Sequence, residues 1–296
     1  RRCAACYGSR LEMTTDSTTP ASEEPPPESA GKPLPPLQTA SLRASAPFAW
    51  LAHGWRDLRS AWVQSLIFGA FFWAMTLVIK YVFLGSPEYT LTVISGCFLV
   101  GPFLAMGLYD ISRRREQGLA QDFGASMTCW SDYLPNMGLL VLVLIVIELL
   151  WGRASLVVFA VFFNTGMPST TGVVDAVFNL KNIEFVIAYL IVGGFFAGLV
   201  FSTCAISIPM ILDRDVDAVT AGIRSIQSVV TRPDVMVLWG LMIVALMLAA
   251  FASPWSIAVP FVVPLLGHAT WHAYRQLMPA DAAVTVASAS DGVSQP

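Results

Sequence analysis

The chain has 296 residues, of which 55% are apolar and only 12% are charged, about half the charged fraction of a typical soluble protein. The mean hydropathy is +0.64 even though both ends of the chain are polar. This composition excludes a soluble enzyme, a disordered regulator and a basic nucleic-acid-binding domain. The formal net charge of −3 at pH 7 is too small to indicate a charged partner.

Both ends of the chain differ in composition from its middle. Residues 1–45 are rich in proline, serine, threonine and glutamate and offer few aliphatic side chains to a core, which is typical of disorder. We therefore predict a disordered tail at 1–45, and we expect 1–12, which precede the first methionine, to be leader or expression sequence rather than native protein. A second flexible tail is predicted at 278–296.

The middle of the chain contains six segments long and apolar enough to cross a bilayer, whose core requires about 20 apolar residues in a helix. These segments are 66–84, 91–109, 137–151, 183–212, 235–252 and 256–274. The third is short, and we expect residues 154–163 to form a separate half-span or interfacial segment. The fourth is long, and we expect Pro209 to bend its end.

The basic residues near these segments predict their orientation, because cytoplasmic loops carry the excess of lysine and arginine. Arg153 and Lys181 lie on one side of the predicted bilayer. On the other side lie Arg56, Arg59, Arg113, Arg114, Arg115, Arg214, Arg224, Arg232 and Arg275. We therefore predict that this second side is cytoplasmic and that both termini lie there.

An apolar pattern with steps of three and four residues, the spacing of one helix face, precedes the first, third and fifth spans. The three stripes are Phe48, Leu51, Trp55, Leu58 and Trp62; Leu119, Phe123, Met127, Trp130 and Leu134; and Val216, Val219, Ile223, Ile226 and Val230. Each stripe includes a glycine at a corresponding position: Gly54, Gly124 and Gly222. Helices of this kind lie in the headgroup layer, pack beneath the bundle, or provide a docking face for another membrane complex.

These features together predict an all-α fold. Residues 46–277 are expected to form a polytopic membrane helix bundle of six transmembrane helices. The helices are arranged as three hairpins, each preceded by a cytoplasmic amphipathic helix.

Two ionisable residues lie inside the predicted spans, where charge is costly and each such group is a functional candidate. Lys80 lies in the first span and Glu148 in the third. Both residues lie at a similar depth along their helices. One interpretation is therefore that they form an ion pair inside the membrane, near its outer face. The alternative is that the Lys80 side chain extends to the outer interface.

His268 and His272 are four residues apart and therefore share one helix face. This spacing can hold a metal ion or an axial haem ligand, and Asp110 at the end of the second span is a further ligand candidate. The alternative is an interfacial aromatic belt that includes Trp271 and Tyr274. No cofactor and no catalytic residue are assigned on this pattern.

Three blocks carry a resemblance to a known family. They are Gly-Trp-Arg-Asp-Leu at 54–58, Val-Gly-Pro-Phe-Leu-Ala-Met-Gly-Leu-Tyr-Asp-Ile-Ser-Arg-Arg-Arg-Glu-Gln-Gly at 100–118, and Gly-His-Ala-Thr-Trp-His-Ala-Tyr-Arg at 267–275. They resemble an uncharacterised family of proteobacterial integral membrane proteins, defined only as a domain of unknown function. The resemblance covers about 48–277. It implies a six-helix protein of the bacterial inner membrane and no activity.

The functional hypotheses fall into three classes. The first is a non-enzymatic accessory, assembly or lipid-contacting membrane protein, whose partners are the lipid bilayer and a membrane protein complex. The second is a small-solute transporter or channel that uses Lys80 and Glu148. The third is a haem- or metal-binding redox protein that uses His268 and His272. Nucleic acid is not an expected partner, and the sequence does not define an oligomeric state.

Overall fold

Helices form all the regular structure in the part of the chain that the computed structural model describes, which is residue 37 and residues 42–86, 89–163 and 182–279. They are α1 (Ala46–Ser60), α2 (Trp62–Gly85), α3 (Thr90–Glu116), α4 (Phe123–Thr128), α5 (Leu134–Phe162), α6 (Ile183–Cys204), α7 (Ser207–Arg214), α8 (Ala218–Thr231), α9 (Pro233–Ala252) and α10 (Val259–Leu277). Most of the predicted tails, and Lys181, lie outside the described residues. Leu42 belongs to the predicted disordered range, but its side chain is buried and its carbonyl oxygen accepts a hydrogen bond from Arg232 (2.7 Å).

Five helical segments are long and apolar enough to cross a membrane, and they correspond to the first five predicted spans. They are Trp62–Gly85, Thr90–Glu116, Phe123–Phe162, Ile183–Arg214 and Pro233–Ala252. The sixth predicted span coincides with α10, a 19-residue helix that is outside this set. The sixth span therefore stays a prediction.

The third span is longer than the sequence suggested. α5 continues without interruption from Leu134 to Phe162, so the expectation of a separate segment at 154–163 is wrong. Gly152 weakens a helix by only about 1 kcal/mol, and the charged side chain of Arg153 is exposed. Neither residue is therefore sufficient to end the helix.

The fourth span is interrupted rather than bent. α6 ends at Cys204 and α7 begins at Ser207, and Ile206 between them has a non-helical backbone (φ −133°, ψ 0°). Pro209 accounts for the break, because its ring is incompatible with a helical carbonyl four residues earlier and it has no N–H to donate. That carbonyl belongs to Ala205, at the interruption.

The second amphipathic helix is shorter than predicted. Only Phe123–Thr128 is α-helical, and a short 3-10 segment at Ser131–Tyr133 connects it to α5. Pro135, in the first turn of α5, disfavours a regular helix across Ser131 for the same steric reason. The prediction of three similar amphipathic helices is therefore wrong for the second one.

Helices α1 and α8 have the predicted length, but most of the side chains in their apolar stripes do not face the bundle. The buried residues of α1 include Trp50, Gly54 and Asp57, and also Leu58 of the stripe, while Phe48 and Trp55 are exposed. On α8 the contacts come from small residues, and every residue of the stripe from Val219 onwards is exposed. The small buried residues are Ala218, Ala221, Gly222, Ser225 and Ser228.

Helix α10 is the centre of the described bundle, since it packs against α1, α2, α3 and α9. Its buried side chains include Leu266, Trp271 and Leu277. α1 comes so close to it that a Cβ atom on Gly54 would lie 2.7 Å from the backbone nitrogen of Ala269. The first and last helices of the described chain are therefore in direct backbone contact.

Candidate functional site: a buried polar network around Asp57 and His268

A set of polar side chains, four of them buried, joins four helices at one end of the bundle, and we call it the polar network. Its members are Asp57 from α1, Ser65 from α2, Ser112 and Arg115 from α3, and His268 and His272 from α10. The close approach at Gly54 positions Asp57, one turn later on α1, beside α10. The two histidines are themselves one turn apart.

The carboxylate of Asp57 is the main acceptor of the network. Oδ2 accepts hydrogen bonds from Ser112 Oγ (2.7 Å) and His272 Nε2 (2.9 Å), and Oδ1 accepts one from Arg115 Nη1 (2.6 Å). Burial acts to raise the pKa of Asp57, but the hydrogen bonds from His272 and Ser112 outweigh it, so the pKa lies below its ordinary value. Asp57 is therefore ionised at neutral pH.

His268 is completely buried, at 0% exposure, and both of its ring nitrogens have serine partners. Nδ1 lies 2.8 Å from Ser112 Oγ and Nε2 lies 2.8 Å from Ser65 Oγ. The single hydroxyl proton of Ser112 is donated to Asp57, so the Ser112 oxygen accepts from Nδ1–H. Nε2 then accepts from the Ser65 hydroxyl, and a neutral imidazole satisfies every group in this chain of bonds.

His53 lies next to the network on α1, and its ring centroid is 5.1 Å from that of His272. Partial burial and the neighbouring His272 ring lower the pKa of His53. The three histidines of the chain are therefore found at one end of the bundle, around Asp57.

The arrangement does not assemble the metal ligands considered from the sequence. The two ring nitrogens of His268 are already hydrogen-bonded to serines, and Asp110 instead accepts from Arg113 (2.6 Å) and Ser126 (2.8 Å). Across the described residues, no group of three or more His, Cys, Asp or Glu side chains is placed to hold a metal ion. Metal or haem binding by His268, His272 and Asp110 stays an untested prediction.

A second group of polar contacts extends the same end of the bundle from α10 to α3 and α7. Asp213 accepts from Tyr274 (2.6 Å) and Arg275 (3.2 Å). Glu116 accepts from Arg275 (2.9 Å) and from the indole N–H of Trp271 (3.0 Å). The C-terminal ends of α3, α7 and α10 therefore lie together.

The structure does not bring Lys80 and Glu148 together as an ion pair. Lys80 Nζ donates to Ser256 Oγ (2.6 Å), in the turn before α10. Glu148 Oε1 accepts from Ser95 Oγ of α3 (3.0 Å). Lys80 is thus bonded to a serine next to α10, whereas Glu148 is bonded to a serine of α3.

The sequence pattern marks the two histidines as candidates for a site but does not mark Asp57, Ser65, Ser112 or Arg115. A signal for most of them was present, because the three blocks that carry the family resemblance contain Asp57, Ser112 with Arg115, and both histidines. These blocks, at 54–58, 100–118 and 267–275, contact one another in the fold through the polar network. Ser65 lies in none of the three blocks, and no sequence pattern marked it.

The fold and the composition of its helices define a multi-span integral membrane protein. Residues 90–213, from α3 into α7, match the model of a family described as predicted integral membrane protein (DUF2189). This match confirms the resemblance to an integral membrane domain of unknown function; the first and third resemblance blocks lie outside the matched segment. No curated protein and no solved structure matches the chain.

Proposed function

We propose that this chain is a non-enzymatic, lipid-contacting protein of the bacterial inner membrane, with both termini in the cytoplasm. In this proposal α1 and α8 lie along the cytoplasmic headgroup layer, and the polar network holds α1 in place. The observation that carries the proposal is the exposure of the α8 stripe from Val219 onwards and of Phe48 and Trp55 on α1.

Helix α8 has three distinct faces. Its small residues pack into the bundle, and Ala221 is 0% exposed, whereas Val230 of the stripe is 72% exposed. A polar flank with Arg224 and Gln227 lies between these two faces. A helix with one face against protein, one apolar and one polar suits the boundary between lipid and water.

The contacts at the polar end support the proposed orientation. The arginines predicted to be cytoplasmic include Arg113, Arg115 and Arg275, and all three bond to residues at this one end of the bundle. Arg153 belongs to α5 and makes none of these contacts. An excess of arginine and lysine on one side is the arrangement that determines orientation during insertion.

The course of α10 supports a sixth span. Its residue His268 bonds Ser65 of α2, and Ser256 in the preceding turn bonds Lys80 of the same helix. The stretch of α2 between these contacts is about 22 Å long at 1.5 Å per residue. α10 and its preceding turn therefore run antiparallel to α2 over most of a bilayer core.

The lipid contact can be tested with a spin label at Ile223 in a cysteine-free background, after reconstitution into liposomes. We expect frequent collisions with dissolved oxygen, which partitions into lipid, and few with a water-soluble nickel complex. The matched control is a label at Arg224, the next residue, which lies about 100° around α8 on its polar flank and for which we expect the opposite preference.

Equal access of the nickel complex to both positions would overturn the proposal, because the stripe would then face water. Shielding of Ile223 from both reagents in native membranes, but not in liposomes of the purified protein, would assign the stripe to a partner protein instead of lipid.

A transport function is a second candidate, because the buried carboxylate of Glu148 is a polar group inside the apolar part of the bundle. Substitution of Glu148 by glutamine would abolish solute movement in that case. If Glu148 has a purely structural role, the same substitution changes only the stability of the protein.

A further inference from the structure

The side of α1 that faces away from the bundle carries aromatic and basic side chains together. Phe48 and Trp55 are 60% and 49% exposed, and Arg56 and Arg59 are exposed beside them. Trp55 and Arg56 lie four and three residues before Arg59, so these side chains are neighbours on the helix surface. We call Phe48, Trp55, Arg56 and Arg59 the α1 face. It combines apolar area with two positive charges.

The two arginines lack an acidic partner among the described residues. Neither guanidinium forms a hydrogen bond or an ion pair there. Asp57 is the only acidic residue at 42–86, and its buried carboxylate is already bonded to Arg115 (2.6 Å). Arginine stays protonated in proteins, so the charge of Arg56 and Arg59 does not depend on their surroundings. The α1 face therefore presents a pair of positive charges to a ligand.

The α1 face lies immediately before a helix that is long and apolar enough to cross a membrane. α1 ends at Ser60, and α2 begins at Trp62. The headgroup layer extends about 5–7 Å beyond the hydrocarbon core, so a helix directly before a span lies at the level of the lipid phosphates. Tryptophan is enriched at this level, and the guanidinium group binds phosphate oxygens through two parallel hydrogen bonds.

We propose that the α1 face binds the headgroups of anionic phospholipids. Arg56 and Arg59 contact the phosphate groups, and Phe48 and Trp55 contact the upper parts of the acyl chains. This inference rests on the lipid-contacting function proposed above and adds selectivity to it. A zwitterionic lipid also has a phosphate, but its amine carries a positive charge that the arginine pair repels. The exposed aromatic side chains favour lipid over an acidic segment of another protein.

Helix α8 provides a comparison within the same protein. Its apolar stripe is exposed as well, but two exposed carboxylates, Asp215 and Asp217, precede the helix. The one arginine of α8, Arg224, lies 3.5 Å from the side-chain oxygen of Gln227. Positive charge is therefore balanced around α8 and not on the α1 face. We expect α8 to contact lipid without a preference for anionic headgroups.

The test is fluorescence quenching in liposomes of the full-length protein, with the fluorophore NBD attached at position 52 in a cysteine-free background. Ala52 is exposed and lies one turn from both Phe48 and Arg56. The bilayer contains phosphatidylcholine and phosphatidylglycerol in a fixed proportion. A nitroxide quencher is placed on the upper acyl chain of either the phosphatidylglycerol or an equal amount of the phosphatidylcholine. The ratio of the two quenching efficiencies measures the enrichment of anionic lipid beside α1.

We expect phosphatidylglycerol to be the stronger quencher, because each arginine at an anionic surface contributes roughly a fivefold preference. In the double variant R56Q/R59Q the two lipids should quench equally. Arg224→Gln is the matched control, since it removes a positive charge from α8 and should leave the preference at position 52 unchanged. A fluorophore at Ile223 of α8 should be quenched equally by both lipids.

The salt dependence of the unaltered protein gives a measurement that does not depend on the folding of any variant. Salt screens interactions between exposed charges, so the preference at position 52 should fall in concentrated sodium chloride. Quenching by labelled phosphatidylcholine should change little, because it reports contact with lipid and not charge. A preference that is independent of salt would overturn the role of the arginines.

The remaining outcomes separate this inference from the function on which it rests. Equal quenching by both lipids at position 52 of the unaltered protein would overturn the selectivity and leave the lipid contact intact. Quenching by neither lipid would overturn both, and the emission wavelength would then distinguish burial against another protein from exposure to water. A preference that persists in R56Q/R59Q, or that Arg224→Gln also abolishes, would overturn the assignment to Arg56 and Arg59.

Discussion

Asp57 receives hydrogen bonds from two residues of α3 and one of α10 while it belongs to α1. Its loss would leave Ser112, Arg115 and His272 without their shared acceptor. Buried hydrogen-bonding groups that lose a partner destabilise a fold by about 1–3 kcal/mol each. Asp57 is therefore a residue at which a small change should disturb three helices.

We predict that Asp57→Asn lowers the stability at pH 7 by about 1–3 kcal/mol. The pKa of Asp57 is lowered in the folded protein, so the stabilisation by the ionised carboxylate is present above about pH 4, the ordinary value. It is lost as the pH falls through the lowered pKa. The measurement is the melting temperature of both proteins in detergent between pH 7 and pH 3.

The difference between the two proteins should be largest at neutral pH and should shrink towards pH 3. A difference that is the same at all pH values would show that the charge of Asp57 is not the source of the stabilisation.

For single residues, the sequence could identify candidate side chains but not the groups to which they bond. Glu148 and Lys80 were conspicuous because charged residues are rare in apolar spans, yet their bonding to Ser95 and Ser256 depends on which helices are neighbours. Serines are common in apolar helices, so no sequence pattern distinguishes the serines that form these bonds. Only the packing of α2 against α10 shows that Ser65 faces His268.

At the scale of elements, Gly54 and Gly222 occupy equivalent positions in the sequence pattern but have different surroundings. A Cβ atom on Gly54 would lie 2.7 Å from the Ala269 nitrogen and 2.9 Å from the Leu265 carbonyl oxygen, both in the backbone of α10. An added Cβ on Gly222 would meet nothing within 4 Å. These two positions make a matched pair for testing how α1 and α8 are attached.

We predict that Gly54→Ala lowers the stability by about 1–3 kcal/mol, since the helices must separate to admit the methyl group. Gly222→Ala should be neutral or should stabilise by up to about 1 kcal/mol, because alanine is the better helix former. Thermal unfolding of both variants in detergent provides the comparison. If Gly54→Ala melts at the temperature of the unaltered protein, the close contact between α1 and α10 is wrong.

The existence of the long helices could be predicted from hydropathy, whereas their interruptions could not be placed. Pro209 and Pro135 were visible in the sequence, but proline acts on the carbonyl four residues earlier, so the breaks appear at Ala205–Ile206 and around Ser131. The steps of three and four correctly indicated helices at α1 and α8. They could not indicate which face packs, because the small residues of α8 pack closely without being apolar enough to form a pattern.

For the whole molecule, the contacts at the polar end imply a definite topology. The ends of α3, α7 and α10 meet through Glu116, Asp213 and Arg275, so these three helix ends must lie on the same side of the membrane. If that side is the cytoplasm, the C-terminus is cytoplasmic and α10 crosses the bilayer despite its polar residues.

We predict this topology for reporter fusions in a bacterial host. Alkaline phosphatase, which is active only outside the cytoplasm, should be active after Ser86. Green fluorescent protein should be fluorescent after Gln117 and after Met278. Phosphatase activity after Met278 would show that α10 does not span and that the bundle has five crossings.

The contact between the first and last helices has a consequence for biosynthesis. Ser65 and His268 are separated by 203 residues, and at translation rates of 5–20 residues per second the histidine is made roughly 10–40 s after the serine. During that interval α1 and α2 are in the membrane without the helix that covers Asp57 and Ser65. A nascent chain that stops before α10 leaves Ser65 without His268 and Asp57 without His272, so we expect such truncated products to be degraded by membrane proteases sooner than the full chain.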